Sequence, residues 1–524
     1  MITFENKKIL LICKETFSYP LYFLAKRWIK NNNIAAYFIM PAECMYNQTH
    51  LNLTTYYAFK KQQGITLYDV KDISLEFTQK MDSKVYDLEY LEYIEKNYTH
   101  FKELNIQLMS SQLTSTYYHN RKYMKEFTFE QRINWLLLNY KNVEYILDDY
   151  KPDVIIDCDD AELPRSIINE VAFKKNIPYI TIDHPRYNFF KLYTYHMGIG
   201  IDNYFKEYYY KAMSKDKNDL AKEYEEVDNY RKKNSIMPEE YKNTITSQYD
   251  KDDLISTIKC LLGKIIYFYN QDVKSKNRKL KNSNQLIFPS TLEYLKFYFR
   301  VEIIKRYLYS KNKFFSDPID GEKYVYMPLH LIPESTTFVK APFYVNELSV
   351  IEAVSKALPI GWKLYVKEHQ AMLGERSLEF YRNVNKLPNV RLVSINYYKD
   401  PKPWIINAQG VITITGTSAY EAAMLGKRAI VFGDVPFALI NSITRIHSFE
   451  NLSELIKEFK PVDNIHSCAS YIYTVKNLGF DFKFKYIMDK GYDIINNNCD
   501  VDEEFMNQLN ILEKLYITAY ENYK

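Results

Sequence analysis

The sequence predicts an α/β protein with two doubly wound parallel sheets. Two series of short apolar runs, each alternating with helix-like stretches, carry that prediction. A cluster of glycines supports it: four of the chain's 13 fall between Gly410 and Gly433, in a strand-turn-helix-strand pattern. At 524 residues the chain is long enough for two large domains with additions.

The first series opens with Lys8 to Cys13, an uninterrupted buried-type strand, then a helix over Pro20 to Asn31 and a strand over Ala35 to Met40. From Asn52 to Tyr150 the pattern is helical and tyrosine-rich. The α/β rhythm returns with a strand at Asp153 to Cys158, a helix at Leu163 to Lys175 and a strand at Tyr179 to Asp183. Residues 1–201 therefore form one domain. Residues 202–320 read as charged helices inserted between the halves, with mostly solvated faces.

The second series spans residues 321–460. Strands are expected at Tyr324 to Met327, Lys363 to Val366, Val390 to Val393, Val411 to Thr415 and Ala429 to Phe432. Helices are expected between them at Asn346 to Leu358, Ser377 to Asn385, Pro401 to Ala408 and Ser418 to Leu425, and residues 461–524 end the chain as helices. Alternation of this kind implies parallel strands with right-handed crossovers, and ligands then sit beyond the strands' carboxyl ends.

Composition excludes several classes. A net charge of +4 on this length is nearly neutral and gives no reason to expect nucleic-acid binding, which wants concentrated basic charge. The 50 tyrosines, with abundant Lys, Asn and Ile, fit an AT-rich coding bias better than a base-stacking surface. The six cysteines never fall at Cys-x-x-Cys spacing, which speaks against zinc and for buried thiols in a reducing cytoplasm. No uncharged apolar run reaches the roughly 18 residues of a membrane span, and the N-terminus lacks a signal-peptide core.

Three strand ends in the second series gather polar groups: His330 and Glu334; Lys367, Glu368 and His369; and the turn Thr415, Gly416, Thr417, Ser418 with Glu421 after it. Lys367 and His369 supply positive charge or N–H donors for a phosphate, Gly416 permits close backbone approach, the hydroxyls add donors, and Glu421 can accept from a ribose. Local explanations compete. Ser418 and Glu421 stand at capping-box spacing, Lys367 can pair with a neighbouring acid, and a histidine at a strand end is often structural. In the first series Asp157, Asp159 and Asp160, followed by Glu162 and Arg165, close a strand. Clustered carboxylates suit a general base, acid or nucleophile, although acids also decorate helix starts. His184 and Arg186 follow the next strand and can contact donor or acceptor.

The ordered runs from Tyr324 to Thr337, from Leu358 to His369, and from Thr413 through Glu421 to Asp434 resemble the bacterial capsule polysaccharide biosynthesis family, which includes capsule Kdo transferases. The resemblance covers about Lys323 to Phe437 and is weaker over Pro152 to Arg186. It implies a GT-B glycosyltransferase: two Rossmann-like domains facing a cleft, a nucleotide-sugar donor on the C-terminal one and an acceptor on the N-terminal one. By that resemblance His369 and the Thr415–Ser418 turn hold the nucleotide phosphate and Glu421 the ribose. It also implies a CMP-activated acidic sugar and no catalytic metal. One departure is Gln370, where the family carries proline.

The expectation is thus a cytoplasmic enzyme, with peripheral contact at the inner membrane face as an option, that transfers a sugar onto a capsule or surface-glycan acceptor. The alternatives are a nucleotide-sugar epimerase or hydrolase of the same fold, and a non-catalytic scaffold among capsule-assembly proteins. No cofactor beyond the nucleotide-sugar co-substrate and no metal is expected.

Overall fold

A computed structural model describes residues 4–39, 49–70, 73, 76, 87–110, 128–160, 162–237, 254–269, 291–310, 314–332, 335–395, 397–398 and 400–523. The N-terminal sheet contains β1 (Lys8–Cys13), β2 (Asn33–Phe38), β3 (Ile65–Asp69), β4 (Val154–Ile156), β5 (Tyr179–Asp183), β6 (Phe190–Thr194) and β13 (Phe480–Asp481). Its order is β13-β6-β5-β4-β1-β2-β3. The second sheet contains β7 (Tyr324–Pro328), β8 (Lys363–Lys367), β9 (Val390–Val393), β10 (Gly410–Thr413), β11 (Ala429–Val431) and β12 (Ile443–Arg445), in the order β12-β11-β10-β7-β8-β9.

Strands β1 to β5 pair in parallel, as do all six of the second sheet, while β6 and β13 pair antiparallel at one edge of the first. Strand direction follows from composition. Runs such as Ile9–Cys13 and Ile34–Phe38 are buried throughout, as strands with helices on both faces must be. Each sheet reverses its strand order once, between β1 and β4 and between β7 and β10. Two Rossmann-like units result, in agreement with the sequence expectation, and each reversal opens a crevice at the strands' carboxyl ends.

The strands absent from the sequence reading lie at a sheet edge or next to one. β3 alternates polar and apolar residues and is only partly buried, so it lacks the apolar run that marks β1. The helix Phe129–Tyr150 shows how local signals place the site. Thr128 and Gln131 form a capping box at its start, and Lys151 ends it at φ 52. Its inner face buries Ile133, Leu136, Tyr140, Val143 and Leu147 against the helix Leu163–Lys174, delivering the chain into β4.

The C-terminal segment crosses back to the first domain. Helix Ile465–Leu478 packs on Asn203–Met213 and Ala221–Lys232, and β13 then joins β6. Helices Phe484–Asn496 and Glu503–Asn522 cover Ser18–Trp28, and the Tyr516 hydroxyl donates to the Asp157 carbonyl at 2.8 Å. The domains also clasp directly. Helix Ser335–Lys340 inserts Val339 into the N-terminal core, and Lys340 Nζ lies 2.6 Å from Asp183 Oδ1, both side chains buried. The Lys340 stem passes over Gly198, where a Cβ would come within 2.8 Å of it.

Candidate functional site

At the β7/β10 crevice one buried side chain bridges the reversal point. His330, just past β7, donates its backbone N–H to Glu347 Oε1 at 2.7 Å, and its Nδ1 lies 3.1 Å from the same oxygen. Its Nε2 accepts from the Thr415 N–H at 3.2 Å and faces the Thr413 hydroxyl at 3.2 Å. These partners assign the proton to Nδ1. Glu347 is fixed in turn by Arg376 at 2.6 Å, and Arg376 also binds Glu368 at 2.9 Å and donates to the His330 carbonyl at 2.6 Å. Tyr381 completes the set with a 2.7 Å bond to Glu368. His330 and Glu368 therefore face inward, as a brace under the Thr415–Ser418 turn; their expected place on the ligand side is corrected by this burial.

The turn itself leaves donors open. Gly416 N–H bonds to Thr413 Oγ1 at 3.2 Å, and a Cβ on Gly416 would press to 2.4 Å from that oxygen, so glycine is required. Thr417 occupies the cap position in αR geometry with no side-chain cap bond, and Ser418 is the first residue of helix Ser418–Met424. The capping box expected from Ser418 and Glu421 does not form. Instead Thr415 Oγ1 and Ser418 Oγ are buried without a hydrogen-bond partner among the described residues. A buried orphan hydroxyl costs about 1–3 kcal/mol, which a ligand oxygen would relieve. The helix has only seven residues, so the hydroxyls and nearby cations outweigh its dipole in any anion binding.

Charged groups surround this turn. Burial lowers Lys367, at the end of β8, to about 8, with Glu421 and Asp400 opposing; it forms no ion pair among the described residues. Burial and Asp400 raise Glu421 to about 7, against Lys367 and Arg186. Arg186 follows β5 of the other domain at φ 65, so its field on Glu421 reaches across the cleft. Burial, His330 and Arg376 lower His369 to about 4. Its Nδ1 accepts the Ala371 N–H at 3.2 Å, capping the turn that begins at Gln370. His369 is thus a neutral imidazole carrying its proton on Nε2. Glu334 lies outside the described residues.

The β1/β4 crevice is bridged in the same manner. Lys14, past β1, pairs with Glu162, past β4, at 2.8 Å with both buried. Backbone strain concentrates here: Glu15 stands at φ 44 and Glu162 at φ 95, conformations that cost non-glycine residues energy and gather at functional sites. Burial raises Glu15, with Glu162 and Asp159 adding to the effect and Lys14 opposing. Sequence reading did not select Lys14 or Glu15, and it noted Glu162 only as a member of the acidic cluster after β4. The available signal was a charged pair directly after an apolar strand.

The three aspartates separate by environment. Asp157 has no exposed surface and accepts from Arg165 Nε at 2.7 Å, Arg165 Nη2 at 3.0 Å, Tyr179 at 2.7 Å and the Cys158 N–H at 2.7 Å. That saturation corrects its expected place among the reactive acids: Asp157 is a structural anchor, and Arg165 a buried tie rather than a substrate contact. Asp159 is half-buried and bound to Arg165 at 2.7 Å. Asp160 is half-buried at the crevice, beside the Lys102 ammonium, which burial lowers to about 8 while Asp160 and Glu170 oppose. The Lys102 loop is held by Glu170, which accepts from the N–H groups of His100, Phe101 and Lys102 at 2.8–3.0 Å. Burial, Lys191 and Arg186 push His184 well below the usual histidine range, leaving it neutral beside the Asp183–Lys340 clasp.

No family model and no curated protein matches the chain. Among solved structures it is similar to KpsC of Thermosulfurimonas dismutans, described as a beta Kdo 2,7 transferase, at 13% identity over 68% of this chain and 90% of that one, TM-score 0.30. It is also similar to UDP-GlcNAc 2-epimerase from Neisseria meningitidis bound to UDP-GlcNAc, at 12% identity, 90% and 99% coverage and TM-score 0.25. A putative UDP-N-acetylglucosamine 2-epimerase from Listeria monocytogenes gives 10% identity, 96% and 100% coverage and TM-score 0.28. At these values the two-domain assignment rests on the sheets themselves.

Proposed function

We propose that the chain is a GT-B glycosyltransferase that takes a nucleotide sugar in the β7/β10 crevice and a glycan acceptor against the β1/β4 crevice. The carrying observation is the pair of buried, partnerless hydroxyls of Thr415 and Ser418 above a rigid His330 brace, with Lys367 close by. Those donors suit the phosphate of a nucleotide and would stabilise charge on it as the glycosidic bond breaks. Thr417 and the Gly416 N–H region border the same turn, His369 offers an Nε2–H, and Glu421 suits ribose hydroxyls. A CMP-activated acidic sugar is the favoured donor, from the family resemblance.

Asp160, half-buried just beyond the carboxyl end of β4, is the residue we assign as general base or nucleophile. The Arg165 ties hold the Asp157–Asp160 strand end in place for it. The test is product analysis with CMP-, UDP- and GDP-sugars, with and without a capsule-type glycan acceptor. Acceptor-dependent nucleotide release with a new glycosidic product supports transfer. A rearranged nucleotide sugar without acceptor identifies an epimerase, and no turnover with any donor removes the enzymatic reading.

A further inference from the structure

Helix Leu254–Tyr269 of the insertion carries an apolar stripe that the described residues leave about half exposed. Ile258, Leu262, Ile265 and Ile266 recur at helical spacing and are 47%, 51%, 37% and 59% exposed, with Ile255 in line one turn earlier at 59%. The helix packs on Thr291–Ser310, which continues the apolar surface with Phe299 and Ile303. The second helix is anchored from its other side. Ile304 and Leu308 are buried in the C-terminal core, and Val301 closes over Gly374, where a Cβ would stand 2.5 Å from its carbonyl oxygen. Gly374 follows His369 at the carboxyl edge of the second sheet, so the stripe is mounted beside the candidate site's rim.

Charge selects the occupant. Residues 254–310 carry eleven Lys and Arg against three Asp and Glu, net +8, in a chain whose total is +4. The remainder is therefore net acidic, and the two described helices themselves carry six of those basic residues against two acids, with Lys259 and Lys296 exposed on the helices that bear the apolar stripe. Sixteen residues of helix extend about 24 Å, short of the ~20 residues of a span. Among the described residues no helix is long and apolar enough to cross a membrane. An exposed apolar face with basic flanks fits the headgroup boundary of an anionic bilayer, where apolar burial and attraction to lipid charge act together.

We infer that the helical pair 254–269 and 291–310 docks the protein onto an anionic lipid surface. The inference rests on this surface and not on the proposed chemistry. The test is co-sedimentation of the full chain with phosphatidylcholine vesicles, with and without phosphatidylglycerol, at about 0.1 M and about 0.5 M salt. The expected result is binding to the anionic vesicles only, weakened at the higher salt. Leu262→Ser with Ile266→Ser, and separately Lys259→Glu with Lys296→Glu, should each lower binding at least about tenfold without changing the melting temperature. Equal binding to neutral vesicles, no binding to either, or full binding by both variants overturns the inference. So does a parent dimer that the Leu262→Ser, Ile266→Ser variant dissolves, because a second copy would then cover the stripe.

Discussion

Two carboxylates three residues apart on one strand end are expected to fail differently. Asp157→Asn removes the fully buried one of Arg165's two carboxylate partners, and loss of one partner of such a buried pair costs about 3–5 kcal/mol. The melting temperature should fall sharply. Asp160→Asn sits at the half-buried crevice and should melt within about 1 °C of the parent while abolishing turnover and sparing nucleotide binding. Thermal melting and calorimetry on both variants separate the two roles. A fully active Asp160→Asn protein would remove this residue from the chemistry.

Glu421 makes a pH prediction at the same scale. Its folded value of about 7 lies above the ordinary 4.5, so the folded state holds a proton that the unfolded chain releases first. Stability from this group is present below pH 4.5 and is lost as pH rises through 7. Glu421→Gln should therefore be more stable than the parent at pH 8, by at most about 3 kcal/mol, with the gap closing by pH 4. Melting curves across that window check it, and a gap independent of pH contradicts it.

Among the elements, the turn after β10 depends on its brace. His330→Ala removes the acceptor for the Thr415 N–H and the Nδ1 partner of buried Glu347. The expected cost is about 2–3 kcal/mol of stability, together with at least a tenfold loss of nucleotide affinity as the turn relaxes. A variant that loses stability but binds nucleotide as the parent does would confine His330 to folding. Element type was legible where the physics is local. The apolar runs of β1, β5, β7, β8 and β10 mark strands buried on both faces, and the Gly410–Gly433 cluster marks the turn that only glycine permits. Strands β3 and β6, at a sheet edge and next to one, were not legible, because polar residues interrupt the apolar run that marks a fully buried strand. The capping-box spacing of Ser418 and Glu421 was misleading. Sequence spacing permits that bond, but the turn begins the helix at Ser418 itself and leaves its hydroxyl open.

At the scale of the whole molecule, contacts between residues far apart in sequence decide which groups face the cleft. Lys14 with Glu162, His330 with Glu347 and Asp183 with Lys340 are separated by 148, 17 and 157 residues, and no sequence pattern links the distant pairs. The return of residues 484–522 to the first domain was illegible for the same reason, since their apolar faces fit either sheet. The Asp183–Lys340 clasp carries a prediction. Burial opposes the Asp183 charge, but Lys340 and the His184 N–H hold its carboxyl below the ordinary range. Lys340→Met alone leaves a buried carboxylate and should cost about 3–5 kcal/mol, whereas Asp183→Asn with Lys340→Met should recover most of that loss. Denaturant melts of the parent, the single variant and the double variant measure the coupling. Additive losses would show that the pair does not join the domains.

The proposed function places a nucleotide phosphate against Thr415, Ser418 and Lys367. Calorimetric titration of the parent and of Lys367→Met with CMP, UDP and GDP at pH 7 tests it most directly. One nucleotide should bind the parent with a clear enthalpy, and loss of the ammonium should weaken that binding at least about tenfold. The parent's affinity should also decline as pH passes about 8, where Lys367 loses its charge. Absence of binding by all three nucleotides, or equal affinity in the Lys367→Met protein, would contradict a nucleotide site at the β7/β10 crevice.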